Sequence, residues 1–306
     1  MKAQFATGWY VIAEQAELAA GTVLSLRYFD RKLVAFRGES GAVVMLDAYC
    51  PHLGADLGVG GTVVGDTIRC PFHAWRFGGD GKCVEIPYAK KDMIPPRACV
   101  KTWPIRERNG LVFVWYDELN REPHWEIPVQ PEYGAPDWTP WTLNIMTIKT
   151  PAREVMENVA DRAHFPRVHN THIEEWENEF TEHKAIQRAA GIAYPRGGGS
   201  DRFKLTATYY GPAYQITEMD AALPNVLLNT HTPIDENTIH LRFGVMLKKT
   251  GAKFAPMYLK NLQEGYGEDV AIWENKVWRD RPTLCDGDGP IGALRRWYKQ
   301  FYPEAV

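Results

Sequence analysis

Alternating apolar and polar positions dominate the first third of the chain. Short β-rich runs span Gly8 to Ile12, Thr22 to Phe29, Lys32 to Phe36 and Ala42 to Ala48. Turn-forming residues separate them at Phe29-Asp30-Arg31 and Gly38-Glu39-Ser40-Gly41. Val100 to Arg108 and Leu111 to Tyr116 flank Asn109-Gly110. Both residues of that dipeptide tolerate positive φ, so it predicts a tight hairpin. From Asp117 the pattern dissolves: Pro123, Pro128, Pro131, Pro136 and Pro140 fall within one short polar stretch. This reads as a linker or wrapping segment and places a domain boundary near residue 120, dividing the chain into 1–120 and 121–306.

Beyond the boundary the pattern mixes periods. Trp141 to Lys149 reads as a strand, and Pro151 to about His164 as a helix with proline in its first turn. Strand-like runs return at Phe203 to Tyr210, Asn225 to Thr232 and Thr238 to Lys248. Helical stretches follow over Ala255 to Val277 and Ile291 to Phe301. Strands followed by helices predict an α+β domain, with a sheet packed against long helices. No internal repeat or low-complexity tract interrupts this.

Composition narrows the class. The 306 residues are 45% hydrophobic and 24% charged, the balance of an ordinary globular protein. The formal charge is −3 and no Lys/Arg run stands out, which argues against a nucleic-acid partner. No apolar stretch is long enough for a membrane span. The N-terminus, Met1-Lys2-Ala3-Gln4-Phe5, has no secretory apolar core. The five cysteines, Cys50, Cys70, Cys83, Cys99 and Cys285, are too sparse for a disulfide framework and suit the cytoplasm.

Two of those cysteines sit in a distinctive pattern. Cys50-Pro51-His52 is followed, after 17 intervening residues, by Cys70-Pro71-Phe72-His73. A Rieske [2Fe–2S] cluster needs two thiolates on one iron and two imidazoles on the other. Two loops that each supply one Cys and one His provide that set. Zinc sites usually pair Cys with Cys and His with His along the chain, so the mixed pairs argue against zinc. Cys83 and Cys99 are read as buried thiols without a ligand role.

A second constellation follows. His164 and His169 are too far round a helix to be adjacent, and Pro166 between them is expected to break the helix and let the rings converge. With a later carboxylate they would form the facial triad of a non-haem Fe(II), leaving positions open for O₂.

The flanks CPHLGADL and GDTIRCPFHAWRFGGDGKC resemble the Rieske family. Ala55 and Phe72 stand where respiratory-chain Rieske proteins carry an extra disulfide, which points to the oxygenase or ferredoxin type. Asn158, Asp161, His164 and His169 match the Rieske oxygenase signature Asn-x-x-Asp-x-x-His-x-x-x-x-His. That match favours His169 over nearby His172. The resemblance implies Asp269 as the third iron ligand, with Glu268 the next candidate; Asp280, Asp286 and Asp288 are expected as solvated charges. It implies that Asp161, expected one helical turn before His164, connects that ligand with His73 of a neighbouring subunit. Asn158 is the less specific support on the same face.

GKCVEIPYA (81–89), ATYYGPAYQI (207–216), FGVMLKK (243–249) and the segment 268–304, with its tail Leu294 to Tyr302, resemble the oxygenase components of bacterial 3-ketosteroid 9α-hydroxylases and the animal cholesterol 7-desaturases. The resemblance implies an all-β Rieske domain followed by a helix-grip catalytic domain. It implies a homotrimeric terminal monooxygenase that hydroxylates an apolar, steroid-like substrate with O₂. Electrons would come from an NAD(P)H-dependent reductase or ferredoxin, since no dinucleotide-binding Gly-x-Gly-x-x-Gly is present. The stretch from His169 to Tyr194 departs from this branch in length, and its acidic run (Glu174, Glu175, Glu177, Glu179, Glu182) is expected as a loop at the pocket mouth or in solvent. The alternatives are an oxygenase of aromatic or other small substrates, by hydroxylation, demethylation or desaturation, an electron carrier with a non-catalytic binding domain, and a lipid- or steroid-binding module that has lost catalysis.

Overall fold

Two residues in the left-handed region reverse the chain between the first paired strands. Phe29 (φ 56°) and Asp30 (φ 56°) form the two-residue turn that joins β2 (Val23–Tyr28) to β3 (Arg31–Arg37). An aromatic side chain rarely tolerates this conformation. Here Phe29 is buried and stacks on Tyr116, with centroids 4.4 Å apart. Packing thus outweighs the local backbone cost. Asn109 (φ 54°) and Gly110 (φ 78°) make the second such turn.

The structure is a computed structural model that describes residues 4–90, 93–194 and 198–303. Met1, Lys2 and Ala3, part of the segment read for a leader, lie outside the described residues. The chain forms two units: Val11–Tyr116, and Asp117 onward joined by the residues up to Tyr10.

In the first unit β1 (Gly8–Glu14), which begins in the other unit, pairs with β10 (Leu111–Tyr116), and β10 with β9 (Ile105–Arg108). The second sheet runs β2-β3-β4, with β4 at Val43–Asp47. The third runs in sequence order through β5 (Thr62–Val64), β6 (Thr67–Arg69), β7 (Arg76–Phe77) and β8 (Cys83–Glu85). The strand expected over Val100 to Arg108 is shorter, because Pro104 has no N–H for a ladder. Thr102 and Cys99 make only isolated bridges, to Leu46 and Lys82. Cys99 is exposed, unlike Cys83, so its expected burial is corrected.

The second unit is built on one antiparallel seven-stranded sheet, ordered β11-β17-β16-β15-β14-β13-β12. Its strands are β11 (Thr142–Ile148), β12 (Thr171–Thr181), β13 (Lys184–Ala193), β14 (Asp201–Tyr210), β15 (Tyr214–Asp220), β16 (Asn225–Asp235) and β17 (Thr238–Leu247). Four helices accompany it: α1 (Ala152–Glu157), α2 (Phe165–Val168), α3 (Ala255–Trp273) and α4 (Ile291–Tyr298). Ile148, Ile239, Leu241 and Phe243 line one sheet face. Leu259, Leu262, Tyr266, Val270 and Trp273 of α3 pack onto it. Those α3 positions recur every three or four residues, one helical stripe.

The acidic stretch after His169 is a strand, not a loop. In β12 the side chains of Glu175, Glu177 and Glu179 face solvent while Trp176, Asn178 and Phe180 turn inward. Strict alternation with β-compatible residues wins over the charge run. Arg188 lies between Glu177 and Glu179, and Arg202 pairs with Glu174, so the carboxylates find cations on neighbouring strands.

Among the described residues, no helix is long and apolar enough to cross a membrane.

His231 on β16 is fully buried, and its Nε2 donates to the Pro212 carbonyl at 3.0 Å. Burial pulls its pKa down to about 4, although the Pro212 hydrogen bond opposes this. The unfolded chain therefore binds a proton that the folded one refuses as pH falls through about 6.5 toward 4. The stability gained from keeping His231 neutral is complete above that window and is lost within it, up to ~3 kcal/mol. Denaturant unfolding followed by circular dichroism from pH 7 to 4 should show this loss in the wild type and a smaller one in His231→Gln.

Candidate metal centres

The two Cys/His loops are built alike. Cys50 N–H donates to the Ala55 carbonyl (2.9 Å), and Gly54 N–H returns to the Cys50 carbonyl (2.9 Å). In the second loop Cys70 N–H donates to Trp75 (2.8 Å) and Ala74 N–H returns to Cys70 (3.1 Å). Gly54 (φ 77°) and Ala74 (φ 59°) occupy the same left-handed position, where each loop turns back. The unequal spacings, Cys-x-His and Cys-x-x-His, fit inside frames of equal length.

These loops bring the predicted residues together. The rings of His52 and His73 lie 4.7 Å apart, and the Cys50 and Cys70 thiols interact. His52 stacks on Trp75 at 4.5 Å, and Trp75 Nε1 donates to the Tyr88 hydroxyl. Burial pushes the Cys50 thiol up to about 11; a backbone hydrogen bond from His52 opposes this and Cys70 reinforces it. Cys50 and Cys70 are both 3% exposed and form no disulfide. The Nδ1 atoms of His52 and His73 are buried and have no hydrogen-bond partner. Buried polar atoms normally find partners, so two orphaned imidazole nitrogens beside two buried thiols mark a ligand position. Two sulfurs and two imidazoles are the donor set of a Rieske [2Fe–2S] cluster.

The second centre rests on a local structure that differs from the expected one. Helix α1 stops at Glu157, well short of His164. Asn158 caps it, and the amide of Asn178 on β12 takes the Val159 carbonyl (2.8 Å). The Asp161 carboxylate accepts from the backbone N–H groups of Ala163 and His164 at 3.1 and 3.2 Å. This side-chain cap replaces the helical turn expected between Asp161 and His164. Pro166 is not the breaker; it lies in the first turn of α2, where its missing N–H costs nothing. His164 and His169 flank that four-residue helix at its N-cap and C-cap.

A single helical turn thus aims both rings inward, with centroids 5.2 Å apart. His169 Nε2 lies 3.3 Å from an Asp269 oxygen. One donor atom each from His164, His169 and Asp269 falls within 4.8 Å of the others. Asp269 is 6% exposed on the apolar stripe of α3, a costly place for an unpartnered carboxylate. His172 is exposed on β12 and outside this group.

The outer nitrogens are occupied. His164 Nδ1 donates to the Asp161 carbonyl (2.7 Å), and His169 Nδ1 to the Glu268 carboxylate (3.2 Å). Both Nε2 lone pairs are thereby left for a metal, the arrangement expected behind ligating histidines. Burial works against protonation of His169, but Asp269 and Glu268 together raise its pKa. Burial likewise opposes ionisation of Asp161, but its hydrogen bonds and proximity to His164 prevail and lower its pKa. Two imidazoles and a carboxylate fit a mononuclear non-haem iron. Asn158 is half-buried, and its amide makes no side-chain hydrogen bond among the described residues.

Sequence reasoning missed the polar row on the sheet face toward α3. Residues directly opposite across antiparallel strands share a face. The register therefore places Asn178, Gln187, Gln215 and Asn229 on the face that carries Phe243. Gln187 and Asn229 are buried, and Asn229 Nδ2 donates to Gln215 Oε1 at 3.3 Å. Phe165 connects this face to the histidines, with its ring 4.4 Å from His164, 5.7 Å from His169 and 5.3 Å from Trp176. The available signal was polar residues at alternate positions of otherwise apolar strands.

Residues 8–104 match the Rieske [2Fe-2S] domain, and residues 114–302 match the 3-ketosteroid 9alpha-hydroxylase C-terminal domain. A 3-ketosteroid-9-alpha-monooxygenase oxygenase component of Rhodococcus rhodochrous is 37% identical over 98% of this chain and 82% of its own length. One from Mycolicibacterium smegmatis is 36% identical over 99% and 84%. A cholesterol 7-desaturase of Ciona intestinalis is 34% identical over 98% and 69%. Crystalline dicamba monooxygenase bound to dicamba shares the fold, with TM-score 0.78, 20% identity and 96% coverage of both chains.

The two donor sets predict separable metal losses. His164→Ala should lower the iron content by one atom per chain and keep the visible absorption of the cluster. Cys70→Ser should abolish that absorption. Iron analysis with visible spectroscopy checks both.

Proposed function

The chain belongs to the family of 3-ketosteroid 9α-monooxygenase oxygenase components, and from that premise we propose that it hydroxylates a ketosteroid-like substrate at an unactivated C–H bond. It is the oxygenase component of a multicomponent Rieske monooxygenase, with a Rieske [2Fe–2S] cluster and a mononuclear iron as cofactors. The observation that carries the reading is the convergence of His164, His169 and Asp269 in a chain aligned over nearly its whole length with those enzymes. Bound there, an iron would supply O₂ activation, and the cluster would supply single electrons.

The protein's own residues have distinct tasks in this reading. Cys50, His52, Cys70 and His73, in a domain we bound at 1–120, hold the cluster. His164, His169 and Asp269, in a catalytic domain over 121–306, hold the iron. The Asp161 carbonyl and the Glu268 carboxylate keep the proton of each imidazole on Nδ1, so that Nε2 faces the metal. The Asp161 carboxylate fixes the backbone beneath His164. Asn158 supports that segment from the end of α1.

The sheet face toward α3 suits a flat apolar substrate. Its aliphatic and aromatic side chains exclude water, and the Asn229 and Gln215 amides offer N–H donors to a ketone. The separate reductase partner follows from the oxygenase-component family. Its identity as an NAD(P)H-dependent reductase or ferredoxin, assembly as a homotrimer in which Asp161 meets His73 of the next subunit, and residence in the cytoplasm belong to the same proposal. Leu53 and Phe72, exposed beside cluster histidines, supply an apolar tip suited to such docking.

Reductase-coupled NADH consumption across ketosteroids, sterols and aromatic acids tests the substrate. Ketosteroids should couple consumption to hydroxylated product; coupling to aromatic acids alone would defeat the steroid reading. Asn229→Leu should raise KM for a ketosteroid by roughly tenfold with little change in kcat, the loss of one hydrogen bond to a neutral group.

A further inference from the structure

The stretch between α3 and α4 returns to the segment that carries the histidines. It leaves α3 at Trp273, four residues after Asp269. The Thr150 hydroxyl donates to the Trp273 carbonyl (3.4 Å), and Lys149 N–H donates to Glu274 (2.9 Å). The end of the carboxylate-bearing helix is thus tied to the start of α1. Lys276 then reaches back to α1, with Nζ 2.7 Å from Glu154 and 3.7 Å from Glu157.

The next contact is ionic and aromatic. Arg295 of α4 donates from Nε to the Glu157 carboxylate, and both side chains are mostly buried. Its guanidinium lies 3.8 Å from the centroid of Trp278. Arg153 approaches the same indole at 4.5 Å. The indole is held in turn by Asp280, which accepts from Trp278 Nε1 at 2.8 Å. Glu157 is the last residue of α1, so this pairing fixes the point where the chain departs toward Asp161.

The third contact is backbone on backbone. Arg162 N–H donates to the Asp288 carbonyl at 3.3 Å. Gly289 has φ +85°, and a Cβ there would lie 2.3 Å from the Ala160 carbonyl oxygen. Only glycine fits this approach. The Asp288 side chain closes its own turn by accepting from Cys285 N–H at 2.7 Å. Asp280 and Asp288, expected as solvated charges, therefore have structural partners.

We infer that the 274–295 stretch is a strap that sets the spacing between Asp269 and the two histidines, with Arg295 and Gly289 as its positioning residues. This rests on the reading of His164, His169 and Asp269 as iron ligands. The ligands come from segments about a hundred residues apart in sequence, and neither histidine has a direct covalent constraint toward α3. The strap, which continues α3 and grips Glu157 by an ion pair and Ala160–Arg162 by backbone contacts, supplies a non-covalent constraint at two points, on either side of Asn158.

The test uses full-length protein carrying its cluster and iron. Wild type, Glu157→Gln, Arg295→Met, their double variant and Gly289→Ala are titrated with a ferrous chelator, with Lys260→Met on the solvent side of α3 as control. Release of the mononuclear iron is read by iron analysis and by electron paramagnetic resonance of its nitrosyl adduct. Cluster absorption and thermal midpoint are read in parallel.

The strap predicts iron held about tenfold more weakly in Arg295→Met and Gly289→Ala, the size found for groups that orient ligands. The double variant should be no worse than the weaker single one, and Arg295→Lys should recover part of the loss. Cluster content should not change, and the nitrosyl signal should broaden. Wild-type iron affinity in Arg295→Met and Gly289→Ala overturns the strap. So does iron loss that merely follows cluster loss and a lowered thermal midpoint. Should Gly289→Ala fail to fold, the Glu157/Arg295 cycle decides alone. If wild type holds no iron beyond its cluster, the ligand reading fails and the strap with it, an outcome distinct from loss of the strap alone.

Discussion

Helix α3 reaches His164 and His169 only because its apolar stripe is held against one face of the seven-stranded sheet. That contact buries Asp269 among hydrophobic neighbours, where an isolated carboxylate would be unstable. The cost is met by partners from another part of the chain, with His169 beside Asp269 on one side and Glu268 on the other. Remove the stripe and the carboxylate has no reason to be near the histidines. The metal site is therefore a by-product of sheet-on-helix packing, refined by hydrogen bonds.

The same logic runs in reverse in the Rieske loops. There the backbone geometry comes first, with two short frames each closed by two main-chain hydrogen bonds, one donated and one accepted by its cysteine. Burial then makes the Cys50 thiol hard to ionise without a metal and leaves two imidazole nitrogens unpaired. Metal binding must displace the thiol protons, which couples cluster insertion to the order of both loops. One centre is assembled by tertiary packing and the other by local turns.

This difference explains what could be read from sequence. Both Cys/His pairs lie within short windows, so their chemistry was visible in spacing alone. His164 and His169 were equally visible, but the reason they converge was not. The expected helix through Asp161 ignored that an aspartate can capture backbone N–H groups two and three residues ahead. Asp269 came from family resemblance, although a lone carboxylate on an apolar helical stripe was itself a signal. The acidic run reads as a loop by its charge and as a strand by its alternation. Pairing with Arg188 and Arg202, which decides the matter, depends on the register with the next two strands, β13 and β14. The polar row with Gln187 and Asn229 emerges only once the register of five strands is known.

The alternation in β12 has a consequence for chain length. A β-bulge between Ile173 and Glu175 sets which residues face inward, so that Trp176 and Asn178 meet the metal-bearing segment and the glutamates meet water. Side chains alternate with a period of two, so parity is conserved only when residues are gained or lost in pairs. A single-residue deletion before Trp176 would exchange the two rows and turn carboxylates toward the face that carries Gln187 and Asn229. Length drift between His169 and Trp176 is therefore quantised. Relatives can lengthen the β12–β13 hairpin at its far end around Glu182, but near the bulge they must count in twos.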